Sequence, residues 1–340
     1  MPARRVGQRR SARHVATLRG VRTASTATQS LAWLLSPAMW LRVLQVALGA
    51  AVLDSTAAAT WPTTSVRPVT PSTIRQVSVD LVQLWWDYGG VKGGSDSPGT
   101  PADGRKAMKD AVACGMTYYR FAATHFWPKE QQSTYLASPA AEAAYWSKMD
   151  LMFADAEALQ VKLIPSLNWQ LFLFPDLAGE PLRTMLTDAA SKSSQLLESY
   201  VTKFVSRYHN SSTIFAWELG NEYNLAIDLN YSAPGINMSG IAPPLGTPTH
   251  RSQADNISTA DLVTFQTRFA GWVRAADPQQ RPISTGHATP RQGAWHLARS
   301  YHAPQRDWGP DTEAQFVETV ATQSAGCDLI SYHYCTRTTH

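Results

Sequence analysis

From about residue 77 onward the chain repeats one unit: a short apolar run, a polar loop, then an amphipathic stretch of helical period. Apolar runs at 77–85, 117–122, 161–167, 213–219, 282–286 and 328–334 are expected to be strands. Between them, Met108, Ala111 and Val112 recur at helical spacing after Asp103, and Gly115 closes that segment. The series Tyr145, Met149, Met152, Phe153, Ala156 and Leu159 does the same. So does the series Leu197, Tyr200, Val201, Phe204, Val205 and Tyr208. Ser258 or Thr259 is placed to cap a helix bearing Leu262, Phe265, Phe269, Trp272 and Val273, and a further helix is expected around Phe316, Val317 and Val320.

Strict alternation of strand and helix demands a parallel sheet with right-handed crossovers. An open doubly wound sheet and a closed (β/α)8 barrel are the two solutions. The glycines at 89–90 and 93–94 lack the spacing of a dinucleotide-binding turn, and no Gly-rich phosphate loop follows the first strand. Long loops at 224–257 and 288–311 follow strands, which is where barrel enzymes build their sites. An α/β fold of the TIM-barrel kind is therefore expected. Only six strands fit where eight are needed. The reading is a barrel C-terminally truncated after about six β/α units, or one with a unit missed. Six strands alone leave two open edges, so residues 60–340 by themselves are expected to aggregate or to need a partner.

The 340 residues are 44% hydrophobic and 16% charged, enough for a large core. The net charge of +4 is misleading. Residues 1–59 hold eight arginines against the single acid Asp54, a local +7 that leaves −3 on the remainder. A mildly acidic folded part disfavours a nucleic-acid partner. Residues 1–59 read as a targeting region. The apolar stretch 31–53 is broken by Pro37 and Arg42, which argues against a stable membrane span. From Met39 a short charged start, an apolar core at 43–53 and small residues at 55–59 follow in the order of a secretory signal. Met39 is the expected true start and the protein is expected to be secreted. An organelle transit peptide or a disordered tail is the competing reading. Sequons begin at Asn210, Asn230, Asn237 and Asn256. The three cysteines, Cys114, Cys327 and Cys335, are too few for a disulfide framework, and no Cys/His spacing suggests zinc. No cofactor or metal is implied.

The chemistry concentrates at the end of the fourth expected strand, where Trp217-Glu218-Leu219-Gly220-Asn221-Glu222 carries an acid at a strand tip. Glycoside cleavage needs a carboxylic acid that protonates the leaving oxygen. This run resembles the fourth-strand signature of clan A glycoside hydrolases, especially glycoside hydrolase family 5, the cellulase and β-mannanase family. The resemblance covers about 77–335, six of the family's eight units. It implies Glu222 as the acid/base and Asn221 as the contact to the 2-hydroxyl. The segment around Arg120 resembles the family's second strand, whose arginine sits under the nucleophile and keeps it ionised. Asn168 and Trp169 resemble a pair that lines the sugar site in some family members. His333 matches a histidine that steadies the catalytic carboxylates. The tyrosine expected two residues on falls on Cys335, with Tyr334 beside it. The indoles Trp85 and Trp86 after the first strand, and Trp127 after the second, are candidate sugar platforms, with core packing as the competing use. His125 and His287 hold similar places.

Glu218 lies four residues before Glu222, about 13 Å along a strand. A retaining pair sits about 5 Å apart, so Glu218 is not expected to be the nucleophile. In the family that residue ends the seventh strand. The resemblance thus implies a retaining β-glycosidase acting on a mannan or glucan, monomeric if complete, whose nucleophile lies outside this chain. A sugar-binding barrel without turnover is the alternative. An esterase is disfavoured because no Gly-x-Ser-x-Gly elbow occurs.

Overall fold

The computed structural model describes residues 78–80, 84–90, 99–232, 246–248 and 250–333. The expected targeting region, the sequon at Asn237, Tyr334 and Cys335 lie outside these residues. No helix among the described residues is long and apolar enough to cross a membrane.

Five strands form one parallel sheet in the order β1-β2-β3-β4-β5: Ser78–Asp80, Tyr118–Ala122, Lys162–Asn168, Trp217–Gly220 and Ile283–Ser284. Each strand pairs with its neighbours in sequence, and the order never reverses. A doubly wound sheet must reverse at a switch point to cover both faces. Sequential right-handed crossovers instead put every helix on one face. Alternation along the strands then gives two unlike faces. Tyr119, Leu163, Leu167, Trp217 and Ile283 are fully buried apolar residues of one set. Arg120, Ser166, Asn168, Glu218 and Ser284 are buried polar residues of the other. The apolar set meets the helices: the Tyr119 hydroxyl donates to Met108 O, and the Trp217 indole donates to Asp277 Oδ2 at 2.8 Å.

The helices form where caps and apolar period coincide. Helix α1 spans Leu84–Gly89, α2 Pro101–Ala113, α3 Pro128–Thr134 and α4 Pro139–Ala158. Helices α5 (Leu173–Ala178), α6 (Leu182–Thr187) and α7 (Lys192–Tyr208) follow β3. The last three are α8 (Thr259–Ala276), α9 (Ala294–Arg299) and α10 (Glu313–Gln323). Thr100 and Asp103 form a capping box, so Asp103 is the third helical residue of α2 and not its opener. Ser258 caps α8 and is paired with Asp261 in the same way. The apolar series expected on α4 and α7 face each other, with Phe153 and Tyr208 stacked at 3.7 Å between ring centroids. Burial of each such ring stabilises the fold by about 1.5–3 kcal/mol.

Two expectations need correction. The run 77–85 is not one strand: it splits into β1 and α1, which places Trp85 and Trp86 on a helix. Apolar and polar residues alternate only over 77–81, as a strand requires, whereas Leu84, Trp85 and Tyr88 recur at helical spacing. The sixth strand is not continuous either. Leu329 and His333 each make one isolated parallel bridge, to Ser284 and to Ala288. The helix expected around Phe316, Val317 and Val320 is α10; its buried residues are Thr319, Val320 and Gln323, and Phe316 and Val317 are partly exposed.

Candidate active site

The polar face of the sheet converges on β4. Glu218 sits between Ser166 of β3 and Ser284 of β5 in the pairing register and is 2% exposed. Arg120 of β2 crosses to it: Nε donates to Glu218 Oε1 at 2.7 Å. The same guanidinium donates from Nη2 to Gly220 O at 3.3 Å and to Asn221 Oδ1 at 3.1 Å. It lies 4.4 Å over the Trp169 ring. Trp169 O in turn accepts from Asn221 N at 3.2 Å. Burial pushes the Glu218 carboxyl up, and the Arg120 charge beside it works in the opposite direction.

Past Gly220 the chain leaves the strand and turns sharply. Glu222 adopts the left-handed region, φ 57° and ψ 32°, and its N–H donates to Gly286 O at 2.8 Å. Gly286 permits that approach. It has φ +70°, and a Cβ on it would stand 1.8 Å from Gly220 O. A side chain at Gly220 would likewise strike the Tyr223 ring and Asn168 O. The Glu222 side chain, one-third exposed, pairs with His333, Nδ1 to Oε1 at 3.2 Å. That bond, more than anything else, holds the Glu222 carboxyl below the usual range; burial opposes it, and the His333 and Arg120 charges assist. His333 is held in turn: its carbonyl accepts from Thr289 N and Oγ1, and its N–H donates to His287 O. Asn224 braces the same turn, exchanging hydrogen bonds with Ala288 N and O.

Four sequence-predicted residues, Glu222, Asn221, Arg120 and His333, are thus joined by direct contacts, with Trp169 packed beneath the guanidinium. Asn168 is fully buried one residue before Trp169, and neither atom of its amide has a partner among the described residues. The other indoles lie elsewhere. Trp85 has no exposed surface and meets Tyr145 and His125 edge-on and tilted. It therefore has no face to offer a sugar, a correction that follows from its place on α1. Trp86 is 3% exposed and donates Nε1 to Thr124 O. Trp127 is the buried N-cap residue of α3, packed edge-on against Phe126. Burial drives both His125 and His287 down to about 3, so each ring stays neutral. Sequence reasoning missed what Glu218 does: it was weighed only as a nucleophile, and its partner Arg120 lies 98 residues away. Among the described residues no three His, Cys, Asp or Glu side chains converge as metal ligands, and Cys114 and Cys327 are free thiols.

No protein-family model and no curated protein matches this sequence. Solved structures do. The endo-1,4-β-D-mannanase from Thermotoga petrophila RKU-1 is 14% identical, with 63% of this chain and 56% of that one covered and a TM-score of 0.42. A family 5 mannosidase from Rhizomucor miehei is 11% identical, covering 65% of this chain and 53% of that one at a TM-score of 0.41. A β-mannanase from the blue mussel Mytilus edulis is 12% identical, covering 66% and 60% at a TM-score of 0.37. The chain spans about half the length of these proteins.

Proposed function

We propose that residues 60–340 carry a glycoside hydrolase of the (β/α)8 kind, secreted, that cleaves a β-linked mannan or glucan with retention of configuration. The observation that carries this reading is the cluster at the tip of β4. There a partly exposed carboxylate, Glu222, stands beside the Asn221 amide. Asn221 is fastened from below by Arg120, which Glu218 holds, and Glu222 is fastened from the side by His333. The unreversed strand order supports the barrel, because a sheet with helices on one face covers its other face by curving onto itself.

In this reading Glu222 gives its proton to the glycosidic oxygen while a second carboxylate bonds to the anomeric carbon and the C–O bond breaks. Glu222 then takes a proton from the water that displaces that carboxylate and releases the sugar. Glu218 does not serve as the second carboxylate, being buried and committed to Arg120. We place that group outside the described residues. A second carboxylate about 5 Å away would raise the proton affinity of Glu222, which His333 now lowers, and would make it an acid in the first step.

The test is release of reducing ends from β-mannan and β-glucan by the full chain, beside Glu222→Gln. Equal activity in the two proteins overturns the assignment. The alternative is sugar binding without turnover at the same cluster. That reading predicts retention on immobilised mannan or glucan with no release of reducing ends and no effect of Glu222→Gln on release.

A further inference from the structure

Glu218 is a buried charged group that the proposed reaction does not use, and its surroundings give it a task. Arginine is a donor only, so the Asn221 atom that faces Nη2 must be the carbonyl oxygen. The amide nitrogen then points away from Arg120. The guanidinium has no freedom to release that grip. Its Nε is fixed on Glu218 Oε1, its Nη2 also meets Gly220 O, and Trp169 lies against its flat face. Glu218 in turn sits in mid-strand, in register with Ser166 and Ser284, and cannot follow a moving arginine.

We propose that Glu218 is a positioning residue: through Arg120 it fixes the orientation of the Asn221 amide, so that Nδ2 is presented to donate to the hydroxyl beside the reacting carbon. The inference rests on the glycosidase reading above. A carboxamide turned the other way would offer that hydroxyl an acceptor and lose the donor that strengthens as charge develops at the anomeric carbon. The selectivity for a substrate carrying a 2-hydroxyl is thus written two shells down, in a carboxylate that touches no sugar.

The test uses two substrates and the full chain. One is an aryl β-glycoside with its 2-hydroxyl, manno or gluco; the other is the 2-deoxy glycoside, which is the same molecule for both sugars. Glu218→Asp keeps the charge and shortens the arm by one methylene, drawing the guanidinium back by roughly 1 Å. We expect kcat on the hydroxylated substrate to fall roughly 10–100-fold, with KM little changed, and kcat on the 2-deoxy substrate to fall less than about threefold. In an Asn221→Ala background Glu218→Asp should cost nothing further on either substrate. Equal losses on both substrates overturn the inference and leave the glycosidase reading standing. A wild-type chain inert toward both substrates and toward polymer overturns the reading and the inference together. Should Glu218→Asp fail to fold, Arg120→Lys decides: its compact ammonium lacks the rigid fork that aims one nitrogen at Glu218 and another at Asn221, and it must show the same substrate-dependent loss.

Discussion

Replacing Arg120 by Met is the most informative perturbation of the fold. It strands the Glu218 carboxylate at 2% exposure without its countercharge and removes the donors to Gly220 O and Asn221 Oδ1. Breaking one side of a buried ion pair costs about 3–5 kcal/mol, whereas replacing both sides with apolar groups of similar volume is close to neutral. Arg120→Met should therefore lose about 4 kcal/mol and Arg120→Met/Glu218→Leu only about 1 kcal/mol, so that the second substitution restores about 3 kcal/mol. For a chain of this size, about 4 kcal/mol lowers Tm by roughly 5–8 °C. The pH dependence gives an independent check. Burial already raises the Glu218 carboxyl, and Arg120 is the main influence that lowers it. Without Arg120 the folded-state pKa rises further above the unfolded value, so the folded form binds the proton more tightly. The penalty must then shrink as pH falls and the carboxyl is neutralised, and grow as pH rises. Urea unfolding at pH 5 and pH 8 of the two single variants and the double measures both effects. Additive losses, or a gap to wild type that is the same at both pH values, would refute the reasoning.

Three further outcomes follow from the same geometry. His333→Ala removes the main influence that lowers the Glu222 carboxyl, so the alkaline limb of kcat/KM should move to higher pH; an unmoved limb would separate His333 from the proton shuttle. Gly286→Ala puts a Cβ 1.8 Å from Gly220 O at a φ of +70°. It should cost about 3 kcal/mol or more and abolish activity, read by thermal melt and by turnover. His125 and His287 are both held down at about 3 by burial, so their stabilising share is complete above the unfolded value near 6.5 and is lost as pH falls toward 3. Between pH 6.5 and pH 5 each should cost about 2 kcal/mol, and His287→Asn should flatten that slope in a pH series of urea midpoints.

The helices were legible wherever an apolar period ran beside a cap. Ser258 with Asp261, and the facing series on α4 and α7, needed nothing beyond local sequence. The short helices α3, α5, α6 and α9 were not, because six or seven residues give too few turns for a period to emerge. Trp85 and Trp86 fall outside the expected strand because the alternation that marks it ends at Leu81, while the apolar Leu84, Trp85 and Trp86 suit a helix as well as a strand. Glu222 and Asn221 could be read as a candidate pair from one strand tip. The grip on them is legible only in part: the resemblance sets His333 beside the carboxylates and Arg120 in the site, but the hold of Arg120 on Glu218 and the close approach of Gly286 arise only when distant segments are brought side by side, and nothing in the local run around Glu218 hints at an arginine 98 residues earlier. The two bridges at Leu329 and His333, where a strand was expected, have a similar origin, since hydropathy reports burial and says little about which neighbour accepts each N–H.

The backbone at Glu222 leaves a mark that outlasts any assay. A glutamate held at φ 57° and ψ 32° pays a conformational penalty of about 1 kcal/mol that glycine would avoid, and asparagine would reduce it. Folding stability alone thus pushes position 222 away from glutamate. Lineages that gave up the chemistry should drift there to glycine or asparagine while keeping Arg120 and Glu218, whose removal the fold resists. A glutamate persisting at this position is evidence of selection acting against the grain of the backbone, and position 222 becomes a record of whether a descendant chain still works.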